Sequence, residues 1–424
     1  MKWFVLAVAV AMYAVVIALP HKKAWTTLIS AAILIIARVV TPGEALFSLV
    51  NWNVLMIYVG CLAIADLFIY SRVPSRIADE IVDRAPSTSL AIVAILIMTG
   101  LISAFVENVA TVLVMAPIAF ALSKKLDMNP SYFLMGLAVM ANLEGTATLV
   151  GDPPSMIFAS FAGYGFNEFF IYDGKLSIFF AVQAGLIVGS LYFYFFFARA
   201  GAHKLELERA PIISWVPTIL LVLMIVGLAM ASFFHTGISF ISGSLVMALG
   251  IAGVLWYRFV RKESTKETID LVKRLDWETI LFLVGIFIVV GALSAVGLIE
   301  DFAALLGKVV GENVLLGFVL IVAISTLISG FVDNVPYIII MLPVAAKLTA
   351  GLGLAPELYM FGLLIGSCLG GNLTPFGASA NVVSVGMLKK QGYQTSFLDW
   401  AKVCVPFTLV TTTASAAFVW WIWR

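Results

Sequence analysis

Charge is what this 424-residue chain has least of: 12% of its residues are Asp, Glu, Lys or Arg, about half the share found in soluble domains. A soluble globular protein is excluded on that ground. Cysteine is scarce too. Cys61, Cys368 and Cys404 each fall in an apolar run with no Cys-x-x-Cys spacing, which points to packing rather than to a disulfide framework or a zinc site. The three histidines, His21, His203 and His235, lie in connecting segments and build no metal constellation. With 25 Lys and Arg against 24 Asp and Glu, no basic surplus is available for nucleic acid. The sequence has no Walker phosphate loop, nucleophile elbow or zinc-protease helix. Its longest polar segment, 258–276, is too short for a nucleotide-binding domain. Neither ATP-driven pumping by this chain alone, nor an enzyme, nor a cofactor is expected.

Apolar residues, by contrast, make up 62% of the chain, and the mean hydropathy is +1.07. A hydrocarbon core about 30 Å thick takes roughly 20 apolar residues per helix, so the chain can cross about ten times. Hydropathy and breakers predict spans at roughly 3–19, 25–40, 52–70, a broken one at 131–162, and 176–198. A second set follows at roughly 214–232, 239–257, 277–297, a broken one at 357–388, and 400–422. The first run lacks a small-residue cleavage site and leads directly into the next span, so it reads as a helix and not as a signal sequence. Two further stretches, 88–122 and 314–349, are interrupted by Glu107-Asn108 and Asp333-Asn334. Each is either a kinked crossing or a re-entrant hairpin. Treating both as hairpins places 19 basic residues on one face, Lys22, Lys23, Lys124, Lys125, Arg199, Lys204 and Arg209 among them, and leaves 6 of the 25 on the other. A bias that large is what the positive-inside rule expects. The hairpin arrangement puts both termini on the non-cytoplasmic side of an inner membrane.

The chain repeats itself. "NWNVLMIYVG" from Asn51 matches "DWETILFLVG" from Asp276, 225 residues on. "VENVATVLVMAPIA" from Val106 matches "VDNVPYIIIMLPVA" from Val332, and "LEGTATLVG" from Leu143 matches "LGGNLTPFG" from Leu369, both 226 residues on. The expected organisation is a first repeat over 1–200, a cytoplasmic linker over 201–213 and a second repeat over 214–424. An odd number of crossings per half turns the second copy upside down, the plan of secondary transporters that bind at the midplane. The expected fold class is an all-α polytopic membrane protein of two inverted repeats, each with five transmembrane helices, a re-entrant hairpin and a broken helix. Segments 72–84 and 299–309 read as amphipathic interfacial helices bracing the hairpins.

Carboxylates at membrane depth cost about 2.5–3.5 kcal/mol each on insertion scales, so the few present need a reason. Glu107-Asn108 and Asp333-Asn334 stand at equivalent positions, able to cap a helix, to hold an ion or solute, or both, with Thr111 one turn beyond the first pair. The broken helices supply the rest. "NLEGTATLVGDPPS" from Asn142 and "CLGGNLTPFGASAN" from Cys368 mix Gly and Pro into apolar surroundings, so continuous helix is excluded. Irregular backbone at that depth lines a cavity or is buried in protein. Candidate binding residues are therefore Asn142, Glu144, Gly145, Thr146, Thr148 and Asp152 in the first break, and Asn372, Thr374, Ser379 and Asn381 in the second. Glu144 and Asp152 lack acidic counterparts and are candidate proton carriers.

These motifs resemble the arsenite/antimonite efflux and P-protein permeases of the ion transporter superfamily, in register from about Asn51 to Leu388. The resemblance implies a scaffold, a mobile unit of hairpins and unwound helices, and a homodimer. In the related dicarboxylate carriers the tips read Ser-Asn-Thr; here they read Glu107-Asn108-Val109 and Asp333-Asn334-Val335, which disfavours a dicarboxylate. The expected function is secondary transport of a small inorganic solute, with efflux of arsenite or antimonite coupled to H+ or Na+ as the first choice. A sodium/proton antiporter and a passive channel are the alternatives.

Overall fold

The computed structural model describes residues 1–198, 210–233 and 240–424. Most of the linker at 201–213, together with Arg199, His203, Lys204, Arg209 and His235, lies outside the described residues. Among those described, nineteen helices have ten or more residues, and eight of them are long and apolar enough to cross a bilayer. In chain order they are α1 (Lys2–Ala18), α2 (Lys23–Ile36), α3 (Trp52–Tyr70), α4 (Val73–Arg84), α5 (Thr88–Ser103), α6 (Asn108–Lys125), α7 (Ser131–Gly145), α8 (Pro153–Ala162) and α9 (Ile178–Phe196). The second half holds α10 (Val216–Phe233), α11 (Ile241–Leu255), α12 (Thr265–Arg274), α13 (Trp277–Ala295), α14 (Leu298–Val310), α15 (Val314–Ser329), α16 (Asn334–Gly351), α17 (Glu357–Gly370), α18 (Ser379–Lys390) and α19 (Phe397–Trp423). One departure from an all-helical chain is a two-stranded ribbon, Ile171–Tyr172 paired with Lys175–Leu176. Its Asp173-Gly174 turn has positive φ at both positions, as tight hairpins require.

The sequence repeat reappears as a repeat of helix starts, because equivalent polar side chains satisfy equivalent free N–H groups. The Asn51 side chain accepts from the Val54 N–H at 3.1 Å and that of Asp276 from the Thr279 N–H at 3.0 Å. Ser87 caps α5 and Asn313 caps α15 in the same way. Between α5 and α6, and again between α15 and α16, the chain reverses within four residues, 104–107 and 330–333. The first arms have 16 residues each, about 24 Å at 1.5 Å per residue, less than a full hydrocarbon core. Both expected breaks are present, at 146–152 and 371–378.

The halves interleave. α11 packs along α3, and α2 along α13. Glycine permits both contacts: a Cβ at Gly60 would lie 2.5 Å from the Val246 carbonyl oxygen, and one at Gly285 would lie 2.6 Å from Thr27. The far segment of each broken helix also crosses over, α8 lying against α16 and α18 against α6. Apolar side chains left exposed on α10, such as Ile219, Val222 and Met230, belong in lipid. The chain is an integral membrane protein.

Candidate functional site

Where the two breaks meet, asparagine amides join the halves. Asn142, in the last turn of α7, donates from Nδ2 to Asn372 Oδ1 at 2.8 Å and to Asn381 Oδ1 at 2.9 Å. Its Oδ1 accepts from Asn108 Nδ2 at 3.3 Å, and Asn108 Oδ1 accepts from the Ser103 hydroxyl at 2.7 Å. Asn381 in turn donates to the carbonyls of Gly371 and Thr374, both at 2.9 Å, and Trp400 Nε1 donates to the Asn372 carbonyl. Asn142, Asn372 and Asn381 are buried, so these bonds are what makes amides tolerable there. Gly145 makes room for the first tip, since a Cβ on it would stand 2.2 Å from Asn108 Oδ1.

Several contacts recur under the 226-residue shift. Thr148 Oγ1 donates to the Ala104 carbonyl and Thr374 Oγ1 to that of Gly330, each pinning a hairpin tip to the break of its own half. Ser155 and Asn381 both reach back to close their breaks, onto Gly145 and Gly371 respectively. Across the halves the pairing is reciprocal: Asn142 meets Asn372, and its counterpart Cys368 meets Thr146, the counterpart of Asn372. The Cys368 thiol also lies against Asp152. Packing was the sequence expectation for Cys368; its repeat register with Asn142 was the available signal for more.

The acids divide. Glu107 and Asp333 cap α6 and α16, accepting from the Ala110 N–H at 2.9 Å and the Val335 N–H at 3.0 Å. Asp152 caps α8 through the Ser155 N–H at 3.1 Å. Asp276, which the sequence marked only as part of the repeat, accepts from the Tyr58 hydroxyl at 3.2 Å and exerts its field on Glu107. Lys23, grouped by sequence with the cytoplasmic basic residues, reaches Asp333 Oδ2 at 3.2 Å, with 16% of its side chain exposed.

Not every candidate joins this assembly. Glu144 lies two residues from Asn142, about 200° around the helix, and faces the other way: Gln183 Nε2 donates to both of its oxygens, at 3.1 and 2.8 Å. Thr111 spends its hydroxyl on its own helix, on Glu107 O. Ser379 is exposed, and Asn334 is half-buried and outside the amide network. The assembly thus holds Asn108, Asn142, Asn372, Thr374 and Asn381, with Thr146, Thr148 and Asp152 closing its edge and Glu107 and Asp333 at the tips.

The family model described as CitMHS, citrate transporter, matches residues 12–366 and 309–424. An uncharacterised transporter of Mycobacterium tuberculosis is 32% identical over 430 residues, covering 99% of this chain and 98% of its own length. The P protein of Mus musculus is 26% identical over 403 residues, covering 76% of this chain and 48% of its own length. The YdaH transporter of Alcanivorax borkumensis superposes with a TM-score of 0.58 at 18% identity, over 92% of this chain and 87% of that one. The matched family has citrate rather than arsenite in its description. The expected kinship with the P protein is met, and the fold is shared with a solved transporter. From end to end, the chain belongs to the CitMHS citrate-transporter family and is a secondary transporter rather than an enzyme.

Proposed function

We propose that this protein carries a small solute across an inner membrane by alternating access, with the two hairpin tips and two breaks as its binding site. The observation that carries this is the buried asparagine network shared by both halves. Irregular backbone and clustered amides at one place between repeats are what a midplane site needs. Reciprocal contacts between equivalent residues fit a two-fold relation, and five crossings per half then make the repeats inverted, with both termini outside the cytoplasm. The interfacial helices α4 and α14 brace the hairpins, and a homodimer supports the scaffold.

Acids at both tips favour a neutral or cationic solute, with arsenous or antimonous acid fitting best, moved outward against inward H+ or Na+. Citrate is the second reading. It has the family description behind it and Lys23 as the cation at the site. A sodium/proton antiporter shares the same acids. A passive channel fits less well, because tips pinned to breaks in both halves suit alternating gates better than a standing pore. Proteoliposomes offered arsenite, antimonite, citrate or sodium under an imposed proton gradient discriminate: coupled flux of one of them is expected, and currents far above carrier turnover would replace the carrier with a channel. A cysteine at Lys124 labelled only from outside would overturn the orientation.

A further inference from the structure

The second tip differs from the first in one respect that the repeat does not explain. Asp333 is held by a lysine, and Glu107, its counterpart, forms no ion pair among the described residues. α11, which packs on α3 as α2 packs on α13, carries no charged residue from Ile241 to Leu255, so among the described residues the cation belongs to one half only. Lys23 stands in the first turn of α2, with its ammonium 3.2 Å from Asp333 Oδ2 and 5.1 Å above the Phe282 ring. Asp276 and Glu278, at the start of α13, act on the same ammonium. Tyr13 of α1 donates to the Pro336 carbonyl beside the tip, at 3.1 Å. The ionisable groups facing the pair are therefore Tyr13, Asp276 and Glu278, with Tyr58 and Glu107 beyond Asp276. α2 is fastened to α13, whereas Asp333 stands at the head of the hairpin arm α16.

We propose that Lys23 is a built-in competitor for the coupling cation: its ammonium occupies the place at Asp333 that a proton or sodium ion takes when the second hairpin leaves α2. This rests on the reading of the second tip as an ion-handling part of a transporter. Separating the pair without a replacement strands a carboxylate in partly buried surroundings, which is strongly unfavourable. The hairpin therefore departs only with its charge matched, and that requirement links ion binding to movement. Lys23 is a positioning residue here. It touches the ion's ligand and not the solute.

The test uses the full chain purified in detergent, with the thermal midpoint read during a sodium chloride titration and, separately, a pH titration. A cation bound to the folded state raises the midpoint. Removing a cation within 4–6 Å of a carboxylate strengthens proton binding by about tenfold or more. Lys23→Ala is expected to lower the half-saturating concentration of the responding ion about tenfold. Lys23→Arg should behave as the parent, and Asp333→Asn should abolish the sodium response, or the Lys23-dependent part of the pH response, with or without Lys23→Ala. Lys23→Gln, which keeps a donor for Asp333, gives the same answer if the alanine variant does not fold. Half-points within twofold of the parent in both uncharged variants would overturn the proposal, as would a full response in Asp333→Asn or no response of the parent to either ion. Loss of vesicle transport with these shifts intact would fault only the transport reading.

Discussion

Truncating Asn142 to alanine removes a side chain that bonds to both halves. It donates at 2.8 and 2.9 Å to Asn372 and Asn381 and accepts from Asn108 at 3.3 Å. The variant therefore orphans three polar groups. Asn372 and Asn381 are fully buried, so water does not replace what is lost. An orphaned buried group costs about 1–3 kcal/mol, although membrane hydrogen bonds average nearer 0.6 kcal/mol because the unfolded chain also finds partners. Taking about 1 kcal/mol for each group gives about 3 kcal/mol for Asn142→Ala. The assay is equilibrium unfolding in mixed micelles, run as a double-mutant cycle with Asn381→Ala. A coupling energy of about 1 kcal/mol is expected, since contacting residues couple by roughly 0.5–3 kcal/mol. Simple additivity, together with unimpaired solute flux in vesicles, would refute the claim that this network joins the halves. Asn142→Cys, which copies the opposite half at Cys368, should fall between the parent and the alanine variant, with much of its bulk retained and one weak S–H donor left.

Three further outcomes follow from the geometry. Gly145→Ala should abolish transport and cost about 1–3 kcal/mol, because its Cβ would sit 2.2 Å from Asn108 Oδ1; normal flux and stability in that variant would contradict the tip contact. Thr148→Val and Thr374→Val should destabilise by matched amounts of about 1 kcal/mol, since each hydroxyl pins a tip at an equivalent carbonyl; a large effect from only one would break the structural equivalence. Outside the spans, the hydrogen bond from Lys347 holds Glu300 below the usual carboxylate range. A lowered folded value stabilises above the unfolded value and is lost as pH falls through the folded one. Protection from hydrogen exchange over residues 298–310 should therefore fall as the pH drops below the usual carboxylate range, and Lys347→Ala should show the reduced protection already at neutral pH; unchanged protection in that variant would rule out the brace.

Helices and the breaks between them were legible in the sequence to within a few residues because each is written locally. Long apolar runs make helices, Gly and Pro stop them, and Asn, Asp, Ser and Glu mark where they start. The repeat was legible for the same reason, since equivalent caps and equivalent breaks keep one spacing. Which way each polar side chain faces was not legible: Glu144 points to Gln183 while Asn142, two residues away, points across to the other half.

Composition and local pattern alone determined that this is a many-span helical membrane protein with duplicated tips and breaks, because a chain in lipid must satisfy its backbone within each segment. Tertiary structure decided which side chains meet. The exchange of α2 and α11 between halves, the crossing of α8 and α18, and the reach of Lys23 to Asp333 across 310 positions are contacts between segments far apart in the chain. Hydropathy and spacing describe one helix at a time; partners at that distance are chosen by how two helix faces fit and how their charges balance once packed.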